Sequence, residues 1–251
     1  MNRSQQRIAA ALAVVWLGGV STTQAATTTL ADLLVPGASI RVYDPVNHPG
    51  LQNDLTFSNF QNLSQVGTLS VPLDQIFVVP IWGGVGGLQV EPGLRFQSAL
   101  WTLTGAGQTY DLSFEFTVSH TFLSPVLTDN TLALTGAAIG SGIAQVVEGV
   151  INPLNSQTLA NKYVYTDALG DQLVDHDVFL GGPYGAVQVR KDFAMSTGSA
   201  EGSRVFVSDF DQTFSAVPEA SPGLAGIGLA LLAGRQMLRR RAPQASEAVI
   251  V

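Results

Sequence analysis

The chain has 251 residues, of which 46% are hydrophobic and only 12% charged, with 26 Gly, 12 Pro and no Cys. So high an apolar content excludes intrinsic disorder, and the lack of Cys excludes disulfides, Fe–S clusters, thiolate zinc sites and Cys nucleophiles. The net charge of −7 argues against nucleic acid as a partner, and it divides as +2 over residues 1–25, −11 over 26–217 and +2 over 218–251.

The N-terminal segment has Arg3 and Arg7, then the uncharged run Ile8–Val20, then small residues at Thr23 and Ala25. A basic start, a short apolar stretch and a small-residue cleavage site predict a secretory signal peptide over residues 1–25. Signal peptidase and the Sec translocon are the partners this implies. The mature chain then begins at Ala26.

Residues 26–216 read as one all-β domain, a single β-sandwich-like ectodomain. Ala31–Val35 offers at most one helical turn. Strands are expected at Ser39–Tyr43, Asp54–Leu63 and Gln75–Trp82. Phe60 breaks the phase of Leu55 and Phe57, so a β-bulge near Asn59 is expected to restore it. Gly93–Leu103 is expected to pair with the next strand as a hairpin, with Leu94, Phe96 and Leu100 on one face. That next strand is the clearest in the chain. In Thr109–Val118, Tyr110, Leu112, Phe114, Phe116 and Val118 alternate with polar residues, which places Asp111 and Glu115 on the wet face. Gly105-Ala106-Gly107 before it is a turn. Further strands are expected at Val126–Leu134, Gly142–Ile151, Gln157–Thr166, Gln172–Leu180, Gly185–Phe193 and Arg204–Phe214. Turn residues separate them at the spacing of a sandwich or barrel.

Little in this domain announces chemistry. His48, His120 and His176 lie far apart, with no metal-ligand spacing and no nucleophile elbow. Asp111 and Glu115 are about 13 Å apart along a strand, too far for a hydrolytic carboxylate pair by themselves. Glu91, Glu148 and Glu201 are isolated in sequence. Asp171, Asp175 and Asp177 are the candidate Ca²⁺ ligands, with a solvated acidic face as the alternative, and no other cofactor is expected. Trp82 and Trp101 are the candidate sugar-stacking residues, with core packing as the alternative. No catalytic residue is assigned, and the domain is read as non-enzymatic.

The C-terminal segment sets Val217-Pro218-Glu219 before the apolar run Gly223–Gly234, with Arg239, Arg240 and Arg241 closing it. Residues 223–238 would form about 24 Å of helix, a short membrane span whose Arg cluster stays cytoplasmic. Residues 242–251 form a tail. This order resembles the PEP-CTERM family of sorting signals, although Ala220 stands where that family has a second Pro. The ectodomain also resembles domains found ahead of such signals, at Leu30–Leu34, Leu55–Phe60, Gly93–Phe96, Tyr110–Val118, Leu132–Gly136 and Phe206–Phe214. The resemblance implies export through a transient inner-membrane anchor and cleavage by an exosortase-type protease. It also implies a place at the cell surface or in an extracellular polysaccharide matrix. A carbohydrate-binding module of that matrix is the first alternative, and a secreted hydrolase the second.

Overall fold

In a computed structural model the described residues are 28–42, 55–83, 91–120 and 126–217. Thr23, Ala25, Pro218, Glu219 and Arg239–Arg241 lie outside them, as do the expected signal and membrane helices. Val217 ends the last strand.

Among the described residues fourteen strands form two seven-stranded sheets packed face to face. The first sheet runs β1 (Thr28–Thr29), β4 (Phe77–Gly83), β5 (Glu91–Gln97), β14 (Arg204–Val217), β8 (Val126–Ile139) and β12 (Val174–Val178), with β6 (Thr102–Thr104) also on β14. The second runs β11 (Asp171–Gln172), β10 (Thr158–Asp167), β9 (Ile143–Ile151), β13 (Ala186–Ser196), β7 (Thr109–His120), β3 (Leu55–Gly67) and β2 (Ser39–Val42). The all-β expectation therefore holds. The expected helical turn is α1 (Leu30–Leu33), where Thr29 and Asp32 form a reciprocal capping box.

Alternation puts one side of every long strand between the sheets. From β7 the inward residues are Tyr110, Leu112, Phe114, Phe116 and Val118, all buried. Phe114 and Phe116 meet Phe96 from the first sheet, while Phe57 of β3 meets Phe214 and Phe193 of β13 meets Phe210. Phe96 and Phe114 lie 5.2 Å apart, and Phe193 and Phe210 lie 5.4 Å apart, so aromatic contacts join the two layers.

The break at Phe60 is resolved as expected. The β3–β7 register shifts between Ser58 and Gln61 and again before Ser64, and Asn59 and Asn62 take left-handed φ of 54° and 53°. Asn tolerates that region better than most residues. The hairpin expectation is corrected. Gly93–Leu103 does not pair with β7. Its strands β5 and β6 pair with β14 in the opposite sheet, and Leu100 is exposed. Gly105 and Gly107, at φ of 92° and 72°, turn the chain from one sheet into the other. Leu94 and Phe96 thus face β7 across the core instead of lying beside it.

Candidate functional site

The solvent face of the second sheet holds a groove of about 600 Å³. Strand register explains its shape, because outward residues of five adjacent strands line up in three rows. One row contains Asn161, Gly149, Arg190 and Glu115; the next contains Tyr163, Val147, Asp192, Ser113 and Ser64; the third contains Tyr165, Gln145, Ala194, Asp111 and Val66. Small residues at the centre, Gly149 and Val147, leave the depression. Asn161 on β10, Arg190 and Asp192 on β13, Glu115 on β7 and Asn62 on β3 line it.

The sheet face in and beside the groove presents two kinds of surface. On β10, Tyr163 and Tyr165 stack with ring centroids 5.2 Å apart, and Tyr163 is 38% exposed. The Tyr163 hydroxyl donates to Gln145 Oε1 at 3.0 Å, which fixes the ring over the sheet. Val147 beside it is also exposed. The opposite wall is polar. Glu115 accepts from Arg190 Nε at 2.7 Å, from Asn62 Nδ2 at 2.7 Å and from Gln188 Nε2 at 2.8 Å. The β3 bulge brings Asn62 to this network.

Asp111 and Asp192 stand together between these walls and share a hydrogen bond. Partial burial and the neighbouring Asp111 carboxyl hold Asp192 above the usual carboxylate range. The folded state therefore keeps this proton to a higher pH than the unfolded chain does. The contribution is complete below the ordinary carboxylate pKa and is lost as pH rises through the raised value. Asp192→Asn is expected to remove that slope. Melting temperatures of parent and variant from about pH 3 to 7 test this, and a difference between them that does not change with pH would contradict a shared proton.

Beneath the groove floor lies a buried ionic row. Lys162, Glu148 and Lys191 are register neighbours on β10, β9 and β13, and all three point inward. Both lysines donate to Glu148. Lys162 also donates to Asn130, Lys191 to Gln212, and Asn130 to Glu148. Burial raises the Glu148 carboxyl, but Lys191 and Lys162 outweigh it and hold the group below its usual range. Burial pushes the Lys191 ammonium down to about 8, with attraction to Glu148 opposing it. Glu148, isolated in sequence, is thus the hub of a five-residue polar network.

The residues singled out from sequence sit elsewhere. Trp101 is fully buried, edge-on to Phe193 at 4.7 Å and stacked on Phe210 at 5.6 Å. It presents no surface to a ligand, which corrects the sugar-stacking expectation for this residue. The Trp82 side chain lies outside the described residues. Asp171 is on β11, while Asp175 and Asp177 lie on β12 with His176 on the opposite face. Asp175 accepts from the Tyr163 amide at 2.9 Å and so ties β12 to β10. Among the described residues no three His, Asp or Glu side chains gather as metal ligands. Asp111 and Glu115 are on the wet face as expected, but the partner of Asp111 is Asp192 on the next strand. Nothing in sequence separation indicated that pair. Tyr163 and Tyr165, at i and i+2 on one strand, were the available signal for the aromatic wall.

The chain matches no known protein family and no curated protein. Similar solved structures include a family 61 carbohydrate-binding module in complex with β-1,4-galactotriose (13% identity, TM-score 0.31, 61% of this chain and 89% of that one). A family 27 carbohydrate-binding module studied for mannan recognition has 10% identity and a TM-score of 0.25, covering 72% of this chain and 98% of the other. The enzymatically active domain of the bacteriophage CBA120 tailspike protein 4 has 14% identity and a TM-score of 0.28, covering 63% of this chain and 20% of the other.

Proposed function

We propose that this protein binds polysaccharide in the groove on the solvent face of the second sheet, as a non-enzymatic component of the bacterial cell surface or extracellular matrix. The observation that carries this reading is the pairing of surfaces in one groove. A sugar ring has an apolar C–H face and a rim of hydroxyls. It needs an aromatic or aliphatic wall for the first and alternating donors and acceptors for the second. Val147 supplies the wall inside the groove, and Tyr163, its register partner on β10, extends it with Tyr165 along the same sheet face. Asn62, Ser64, Ser113, Asn161, Asp111 and Asp192 supply the polar partners. The groove is shared by five adjacent strands, which suits a chain more than a single small molecule.

Binding without turnover is supported by the state of the acids. Glu115 is engaged by three donors, and Asp111 and Asp192 are bonded to each other, so no separated acid and base flank an open position. The two ends of the sequence support delivery outside the cytoplasm. In this reading the signal peptide starts export, the C-terminal segment holds the chain in the inner membrane, and an exosortase-type protease acts at Val217-Pro218-Glu219.

Two variants test the groove. A Cβ at Gly149 would meet only Asn161 Oδ1, at 3.7 Å, so Gly149→Leu fills the groove floor without touching the core. Tyr163→Ala removes the aromatic wall. Each is expected to weaken binding to a neutral polysaccharide, drawn from a panel of β-galactan, β-mannan and β-glucan, by at least about tenfold while the melting temperature changes little. Affinity electrophoresis or calorimetry reads the result. Undiminished binding in both variants would contradict the placement, and no binding by the parent to any polysaccharide would contradict the function.

A further inference from the structure

We infer that the groove admits glycan chains that lack carboxylate and sulfate groups and rejects acidic ones; this rests on the polysaccharide-binding reading above. Charge is unevenly spread over the strands that line the groove. From β3 come Asn62, Ser64 and Val66, none of them charged. From β9 come Val147, Gly149 and Ile151, also uncharged. β10 contributes Thr158 and Asn161. All charge comes from β7 and β13, as the acids Asp111, Glu115 and Asp192 and the single base Arg190.

That base is already committed. Arg190 Nε donates to Glu115 at 2.7 Å, and Glu115 is further held by Asn62 and Gln188. A ligand carboxylate could reach only the terminal guanidinium nitrogens, whose positive charge Glu115 already balances. The nearby lysines do not help, because Lys162 and Lys191 point into the core and donate to Glu148, Asn130 and Gln212. What remains along the groove is the Asp111–Asp192 pair. Asp111 and Asp192 already set two carboxyl groups side by side, and burial together with the Asp111 neighbour disfavours a charge on Asp192. A ligand carboxylate would add a further acid to a groove whose acids outnumber its bases. A hydroxyl faces no such penalty, and the carboxyl oxygens of the pair can accept its hydrogen bond.

The test uses one polymer in three forms. The neutral polysaccharide that binds most tightly is compared with the same polymer oxidised at C6 to the carboxylate, and with that product converted to the amide. The amide keeps the added bulk and removes the charge. At low salt and pH 7 the carboxylate form is expected to bind at least about tenfold more weakly than the neutral form, and the amide to recover most of the loss. The double variant Asp111→Asn/Asp192→Asn is expected to narrow the gap between neutral and carboxylate forms, as is raised salt. Equal binding of neutral and carboxylate forms, or tighter binding of the carboxylate, overturns the inference while leaving polysaccharide binding intact. A carboxylate and an amide that bind equally poorly also overturn it, because bulk then explains the loss. Absence of binding to all forms and all polymers in the panel removes the underlying reading and this inference with it.

Discussion

Glu148→Leu is expected to destabilise the fold by about 3–5 kcal/mol, because it leaves two lysines between the sheets with no counter-charge. Lys162 and Lys191 are both fully buried and both donate to this one carboxylate. Their desolvation is offset by Glu148, by the amide oxygens of Asn130 and Gln212, and for Lys191 by the Phe210 ring at 5.9 Å. Removing Glu148 also strands the Asn130 side-chain amide, which donates to it. Lys191→Met alone is expected to be costly too, since Glu148 then keeps a single base and Gln212 loses its donor. The two changes should not add. The double variant leaves one unpaired buried lysine where Glu148→Leu leaves two, so it is expected to fall short of the summed cost by about 1–3 kcal/mol. Urea unfolding of the four proteins measures this. A Glu148→Leu variant within about 1 kcal/mol of the parent would show that the row contributes little to the fold.

Trp101→Ala is expected to cost a further, independent 3–5 kcal/mol or so. Among the described residues Trp101 is the largest fully buried side chain, and it fills the gap between Phe193 of the second sheet and Phe210 of the first. Truncation leaves a void that flanking strands cannot close, because both phenylalanines are anchored in long ladders with β7 and β8. The melting temperature should fall by about 6–20 °C at this chain length. Below that temperature the variant should still bind polysaccharide, since Trp101 lies on the far side of the sheet from the groove. Tyr163→Ala should show the reverse, a loss of affinity with little loss of stability. If the folded Trp101→Ala variant loses binding, the aromatic surface lies elsewhere.

The contrast between these aromatics shows where sequence reading succeeds. The alternation in Thr109–Val118 assigned both faces of β7 correctly, because a strand with one dry face has to repeat every second residue. The phase break at Phe60 located the bulge for the same reason. Pairing was not legible. Period-two patterns tell which way a side chain points and say nothing of which strand lies beside it, so β5 was joined to β7 when it faces β7 across the core. The groove was hidden by a related effect. On β10 the hydrophobic code is inverted, with Lys162 inside and Tyr163 and Tyr165 outside, because Glu148 on the next strand makes a buried lysine tolerable. Only the register of β9, β10 and β13 brings those residues together. The Asp111–Asp192 pair, 81 positions apart in sequence, depends on that register as well.

The central claim is that the outer face of the second sheet is a polysaccharide-binding surface. The most direct measurement is amide chemical-shift mapping of the isotopically labelled protein during titration with a soluble oligosaccharide of the tightest-binding neutral polymer. The account predicts shifts that saturate together and cluster at Asp111, Ser113, Val147, Gly149, Asn161, Tyr163, Arg190 and Asp192. Shifts confined to the outer face of the first sheet, around Arg95, Asp211 and Thr213, would contradict it.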